Sequence, residues 1–111
     1  MLAIAGPIVT AQYVFYTQTE LRNALVAWMG ADNEVARQNF GDVNTWDVSR
    51  LTSMSHLFHA IPGASAFNDN IGDWNVSSVT DMSDMMDDCS TFNADISNWD
   101  VSRVTTSMPL T

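Results

Sequence analysis

The chain has 111 residues, 46% of them apolar, which suits one small folded domain and excludes a disordered chain. Thirteen acidic residues stand against four Arg and no Lys, a net charge of −9. That balance repels phosphate and so argues against nucleic acid and anionic lipid as partners.

Residues 1–11 are mildly apolar, but they carry no basic residue and Pro7 interrupts them. They are read as a terminal segment, an edge strand or a loose terminus, without the features of a signal peptide. No apolar run reaches the length of a membrane span. Residues 12–41 are expected to form a helical N-terminal cap. Leu21, Ala24, Leu25, Trp28 and Met29 make one helical face. Thr17-Gln-Thr-Glu20 is a capping box: the Thr hydroxyl accepts from the Glu20 amide and the Glu carboxylate reaches back. Gly30 is the expected stop. A second short helix is predicted from about Asn33 to Asn39, ended by Gly41.

Residues 42–111 repeat. Trp46-Asp-Val-Ser49-Arg-Leu51-Thr52, Trp74-Asn-Val-Ser77-Ser-Val79-Thr80 and Trp99-Asp-Val-Ser102-Arg-Val104-Thr105 align, and Phe67-Asn68 and Phe92-Asn93 lead into the second and third. The period is 28 and then 25 residues, the extra three falling in His59–Ala66, where Pro62 and Gly63 mark a loop. This segment holds ten Asp, no Glu and two Arg, so most of the negative charge lies here. A period in the middle twenties predicts an α/β repeat: a short leucine-rich-repeat-like solenoid of about two and a half repeats, with one short strand and one helix per unit. Met82, Met85, Met86 and Cys89 have helical spacing behind Thr80 as N-cap. Met54, Leu57, Phe58 and Ile61 do the same behind Thr52. Ala94–Ser97 and Asp69–Gly72 are the expected strands. Trp46, Trp74, Trp99, Met54, Met82, Met85, Met86, Phe67, Phe92, Ile71 and Ile96 are the expected structural core of the repeats. The third repeat breaks off, with Ser107 where Met is expected and Met108 one place late. The chain is therefore read as part of a longer protein with further repeats.

The series Phe-Asn-x-Asp-Ile-Ser-x-Trp-Asp-Val-Ser-x-Val-Thr-x-Met resembles the BspA-like leucine-rich-repeat surface proteins. Residues 92–105 carry its first part, and Ile71–Cys89 run on through the Met-rich stretch. Leu21–Phe58, with Asn39-Phe40-Gly41 before Val43-Asn-Thr-Trp46, resembles the segment that often precedes such repeats in algal and protist members. The resemblance implies an extracellular or cell-surface location and a role in adhesion or host interaction, and it supplies no catalytic residue. The chain departs from the pattern in lacking a recognisable signal peptide or anchor, in the three-residue insertion and in the broken last repeat.

No constellation points to an enzyme or a cofactor. There is no Ser-His-Asp order, phosphate loop or zinc spacing. His56 and His59 lie three apart, but no ligand completes a site in sequence, so they are read as a solvated face and no metal is assigned. Cys89, the only cysteine, is read as core, and it excludes an internal disulfide. Ser49, Ser77 and Ser102 are read as turn hydrogen-bonders rather than modification sites. Asn75-Val-Ser77 is a formal glycosylation acceptor read as structural. The three Trp form an interior ladder in preference to a sugar-stacking row.

The expected function is a non-enzymatic surface or secreted interaction module of adhesion type, with a protein or glycan ligand. The candidate binding residues are Asp69, Asn70, Asp73, Asp95 and Ser97, small polar groups on the expected strand face. A spacer without its own ligand is the alternative. A calcium-dependent acidic module is a lesser one, resting on the Asn and Asp oxygens of Asn68–Asp73 and Asn93–Asp95.

Overall fold

The computed structural model describes residues 12–31 and 33–106. The terminal segment 1–11 and the end of the third repeat, including Met108 and Leu110, lie outside the described residues.

Helix α1 spans Gln18–Met29. Its capping box forms as the sequence requires: the Glu20 amide donates to Thr17 Oγ1 at 3.1 Å, and Glu20 Oε1 accepts from the Tyr16 and Thr17 amides at 2.8 and 3.2 Å. Leu21, Ala24, Leu25 and Trp28 are its buried face. Helix α2 spans Asn33–Phe40, and Gly41 ends it at φ 76, a conformation that favours glycine. Asn33 Nδ2 donates to Trp28 O at 2.6 Å, and the Arg37 guanidinium lies 4.4 Å from the Trp28 ring centre, so the two helices are tied at their shared corner.

Beyond residue 41 the expected architecture is not found. Among the described residues there is no α-helix after α2 and no extended strand. Two three-residue 3-10 turns, Val43–Thr45 and Ala64–Ala66, and three isolated parallel bridges take their place. The α/β leucine-rich-repeat-like solenoid, with a strand and a helix in each unit, is therefore corrected. Over the described residues the fold is a small two-helix domain without a sheet, and residues 42–106 are built from turns.

The helices expected at 54–61 and 82–89 fail for a local reason. His56, Ala60 and Asp84 have φ of 56, 58 and 54. Left-handed residues cannot continue a right-handed helix. The amides instead alternate in use. Those of Leu57, His59 and Ile61 close local turns onto Met54, His56 and Phe58, whereas those of Met54, His56 and Phe58 donate across to Asp81, Ser83 and Met85. The sequence spacing i, i+3, i+4, i+7 is satisfied by successive three-residue turns as well as by a helix. Thr52 and Thr80 are likewise not helix caps: the Thr80 amide donates to Thr52 O, and the Thr105 amide to Thr80 O, both at 2.8 Å.

The expected strands are replaced by side-chain turns at fixed offsets from each Trp. Four residues before it, Asp42, Asn70 and Asp95 accept through Oδ1 from the amides of Asn44, Gly72 and Ser97 at 2.8–2.9 Å. One residue after it, Asp47, Asn75 and Asp100 accept from Ser49, Ser77 and Ser102 at 2.9–3.0 Å. Such bonds give the backbone a turn in place of a strand. A strand at 69–72 or 94–97 would need those same amides for a ladder.

The core runs through the molecule beneath these turns. Trp46, Trp74 and Trp99 are buried, as are Met54, Met82, Met85, Phe67 and Ile71; Met86, Phe92 and Ile96 are partly covered. The indole N–H groups of Trp46, Trp74 and Trp99 donate to Gly41 O, Val43 O and Ile71 O at 3.0, 2.7 and 3.0 Å, so no buried indole lacks a partner. Trp74 and Trp99 stack with centres 6.5 Å apart. At the other end Phe15 packs on Trp46 at 5.2 Å, and the bridge Val14↔Asp47 lays the segment before α1 against the first repeat.

Candidate functional site

The sequence predicts a strand face for the candidate binding residues; the structure places them on adjoining turns. All five are exposed. Asn70, Asp73 and Asp95 line one shallow recess with Asn68, Gly72 and Asn98, so three of the five come together. Ser97 lies outside that lining, its amide bound to Asp95. Asp69 also lies outside it, and its Oδ2 accepts from Trp28 Nε1 at 2.5 Å, joining α1 to the second repeat.

What shapes the recess is mostly backbone satisfaction. Asn68 Oδ1 accepts from the Asn93 amide at 2.5 Å, across one full repeat. Asp73 exchanges two hydrogen bonds with Asn44, at 2.8 and 3.0 Å. Gly72 packs so closely on the third repeat that a Cβ there would stand 2.6 Å from Asp95 O. The Asp95 carboxyl is held below the usual range by hydrogen bonds from Ser97. The carboxylates of Asp47 and Asp100 are lowered in the same way by Ser49 and Ser102. That of Asp81 is lowered by the Ser83 amide, with Thr106 and Ser83 hydroxyls adding. Much of the acidity of this chain is therefore turn-forming.

A second cluster lies apart from the residues that the sequence singles out for binding. His59 and the pair Asp87 and Asp88 are 28 and 29 residues apart, and the turn alignment sets them side by side. His59 Nδ1 stands 3.5 Å from Asp87 Oδ2 and 3.6 Å from Asp88 Oδ2, while His56 Nε2 stands 3.7 Å from Asp84 Oδ2. One donor atom from each of His59, Asp87 and Asp88 lies within 4.8 Å of the others. The signal was present in the alignment, since His56 and His59 fall on the positions of Asp84 and Asp87. Equivalent residues of successive repeats are neighbours, so the solvated face expected for His56 and His59 is also where they meet Asp84 and Asp87.

The other sequence readings can be placed. Cys89 is buried, and burial pushes its thiol up to about 11, with the Asp88 charge adding to the effect. Such a thiol stays protonated and is no nucleophile at neutral pH. Asn75 is exposed, but its Oδ1 is engaged by both the amide and the hydroxyl of Ser77. No helix among the described residues is long and apolar enough to cross a membrane.

A family model described as "Mycoplasma protein of unknown function, DUF285" matches residues 27–109. No curated protein and no solved structure matches the chain.

Proposed function

The chain belongs to this Mycoplasma protein family of unknown function, DUF285, and on that premise we propose that it is a BspA-like surface module: a non-enzymatic, adhesion-type unit, extracellular or cell-surface, whose polar recess contacts a protein or glycan. The observation that carries the reading is the convergence of Asn68, Asn70, Asp73, Asp95 and Asn98 on one exposed recess. Short side chains already held by turn hydrogen bonds lose little entropy when a ligand orders them. Carboxylates and amides together suit hydroxyl groups or a basic protein surface. One recess of this kind is weak, and useful affinity calls for several modules acting together.

A spacer role is supported by a different observation. The Oδ1 atoms of Asn70 and Asp95 and the carboxylate of Asp73 are occupied within the chain, as expected of residues selected to shape turns. The two main readings separate in a binding experiment with the 111-residue chain, monomeric and as a tandem array, on panels of surface glycans and basic proteins. Binding that rises with valency and is lost in Asp73→Asn/Asp95→Asn supports the recess. Silence from both forms supports the spacer. Binding unchanged by the double substitution removes the recess as the contact.

A further inference from the structure

The geometry points to a surface site for a borderline divalent transition ion, of which Zn²⁺ is the natural probe, with His59 Nδ1 and one carboxylate oxygen each from Asp87 and Asp88 as ligands. Two features separate it from an ordinary acidic patch. The first is the donor set. An imidazole nitrogen with two carboxylates is a set that zinc and its neighbours accept and calcium does not prefer. The second is the spacing. At 3.5 and 3.6 Å the His59–Asp contacts are too long for good hydrogen bonds. They come close to two edges of a tetrahedron around zinc, which bonds of about 2.1 Å set at roughly 3.4 Å, while the third edge, between the two carboxylates, lies within 4.8 Å. Both carboxylates therefore converge on one ring nitrogen without either closing a short bond to it.

The site has an orienting contact outside the ligands. Asp88 Oδ2 accepts from the Ala60 amide at 2.6 Å, which fixes that carboxylate against the turn bearing His59. The ligand side chains are about half exposed, 56% for His59, 48% for Asp87 and 43% for Asp88, so a fourth position is open to water. Surrounding charge favours a cation. Asp84 lies next along the strip with His56, whose ring centre is 5.9 Å from that of His59. The nearby cation, Arg22, donates to the carbonyls of His56 and Leu57. A bound ion would clamp the turn at residue 59 to the turn at 87–88, adding a cross-link between repeat segments that only the folded chain offers.

The test is calorimetric titration of the full chain with Zn²⁺, with Ca²⁺ as the comparison ion, and NMR of the two imidazoles. The expected result is one saturable zinc site at least tenfold tighter than any calcium binding. His59→Gln and Asp88→Asn should each weaken it tenfold or more, and Asp95→Asn should change it less than twofold. Zinc should shift the ring signals of His59 beyond those of His56 and raise the melting temperature of the wild type but not of His59→Gln. The variants replace exposed side chains, and a metal-free melt matching the wild type confirms that they fold. Zinc affinity unchanged in His59→Gln, equal affinity for calcium, or no saturable zinc binding would overturn the proposal and leave a plain acidic surface with histidine–aspartate pairs.

Discussion

The second and third repeats are nearly the same sentence of sequence set in different surroundings. Val76 is 1% exposed, whereas Val101, at the same place after Trp, is 47% exposed. Ile71 is fully buried and Ile96 only partly; Phe67 is buried and Phe92 partly. The second repeat is covered on both sides. Its Trp donates to the first repeat, its Ile71 carbonyl receives the next Trp, and its Thr80 takes bonds from Thr105 while giving them to Thr52. Among the described residues the third repeat is covered on one side only. A hydrophobic residue in a repeat is thus buried by its neighbours and not by its own segment, and stability should be graded along the chain.

The widest separation should come from a charge placed at the paired valines. Val76→Asp should cost about 3 kcal/mol or more, because it buries an unpaired carboxylate, whereas Val101→Asp should cost about 0.5 kcal/mol or less. Urea melts read the difference directly. Equal costs would break the comparison and mean that the third repeat is covered in solution.

Backbone packing gives the next contrast. Gly72→Ala should cost about 1–3 kcal/mol, since the added methyl runs into Asp95 O and the third repeat must shift. Ser97→Ala, at the corresponding place, removes no packing of this kind and should stay within about 0.5 kcal/mol. A thermal melt in which both behave alike would show that the approach of the two repeats is looser than drawn.

Acid should act through the turn-forming aspartates. The folded-state values of Asp47, Asp81, Asp95 and Asp100 lie below the ordinary 3.8. Each therefore contributes stability in full above that pH and loses it as pH falls through the lower folded value. Circular dichroism should show little change in the melting temperature above pH 5 that is traceable to these groups, and a fall below pH 4. A melting temperature flat to pH 2 would contradict the lowered values. The smallest effect is Asp100→Asn. Asn75 already performs the same turn in the second repeat, so neutral-pH stability should be unchanged within error, and only the part of the acid response that Asp100 carries should vanish, that of Asp95 remaining.

Some of this was legible without coordinates. The capping box at Thr17 and Glu20, the stop at Gly41 and the buried face of α1 depend on bonds within a few residues, and sequence specifies such bonds directly. The burial of the three repeat Trp and the turn role of Ser49, Ser77 and Ser102 followed from their fixed offsets, whereas ring stacking joins only Trp74 and Trp99 and Trp46 packs on Phe15, Trp28 and Phe40. The strands and helices assigned to residues 42–106 were not legible. A stretch such as Met82–Cys89 reads as an amphipathic helix when its amides are assumed to bond locally. Half of the corresponding amides in the first repeat instead donate across to the second. The recess was half legible: Asn70, Asp73 and Asp95 meet, but Asp69 turned out to be a tether for Trp28.

The sequence by itself determined which positions are alike, which of them are apolar, and that Asx residues stand where turns are made, because those are properties of local chemistry repeated at a fixed period. Only the tertiary structure decided that the repeats pair through alternating backbone amides, that His59 meets Asp87 and Asp88, and that Val76 and Val101 live in different solvents. Those outcomes depend on which segment lies beside which, and on whether a second neighbour is present to exclude water.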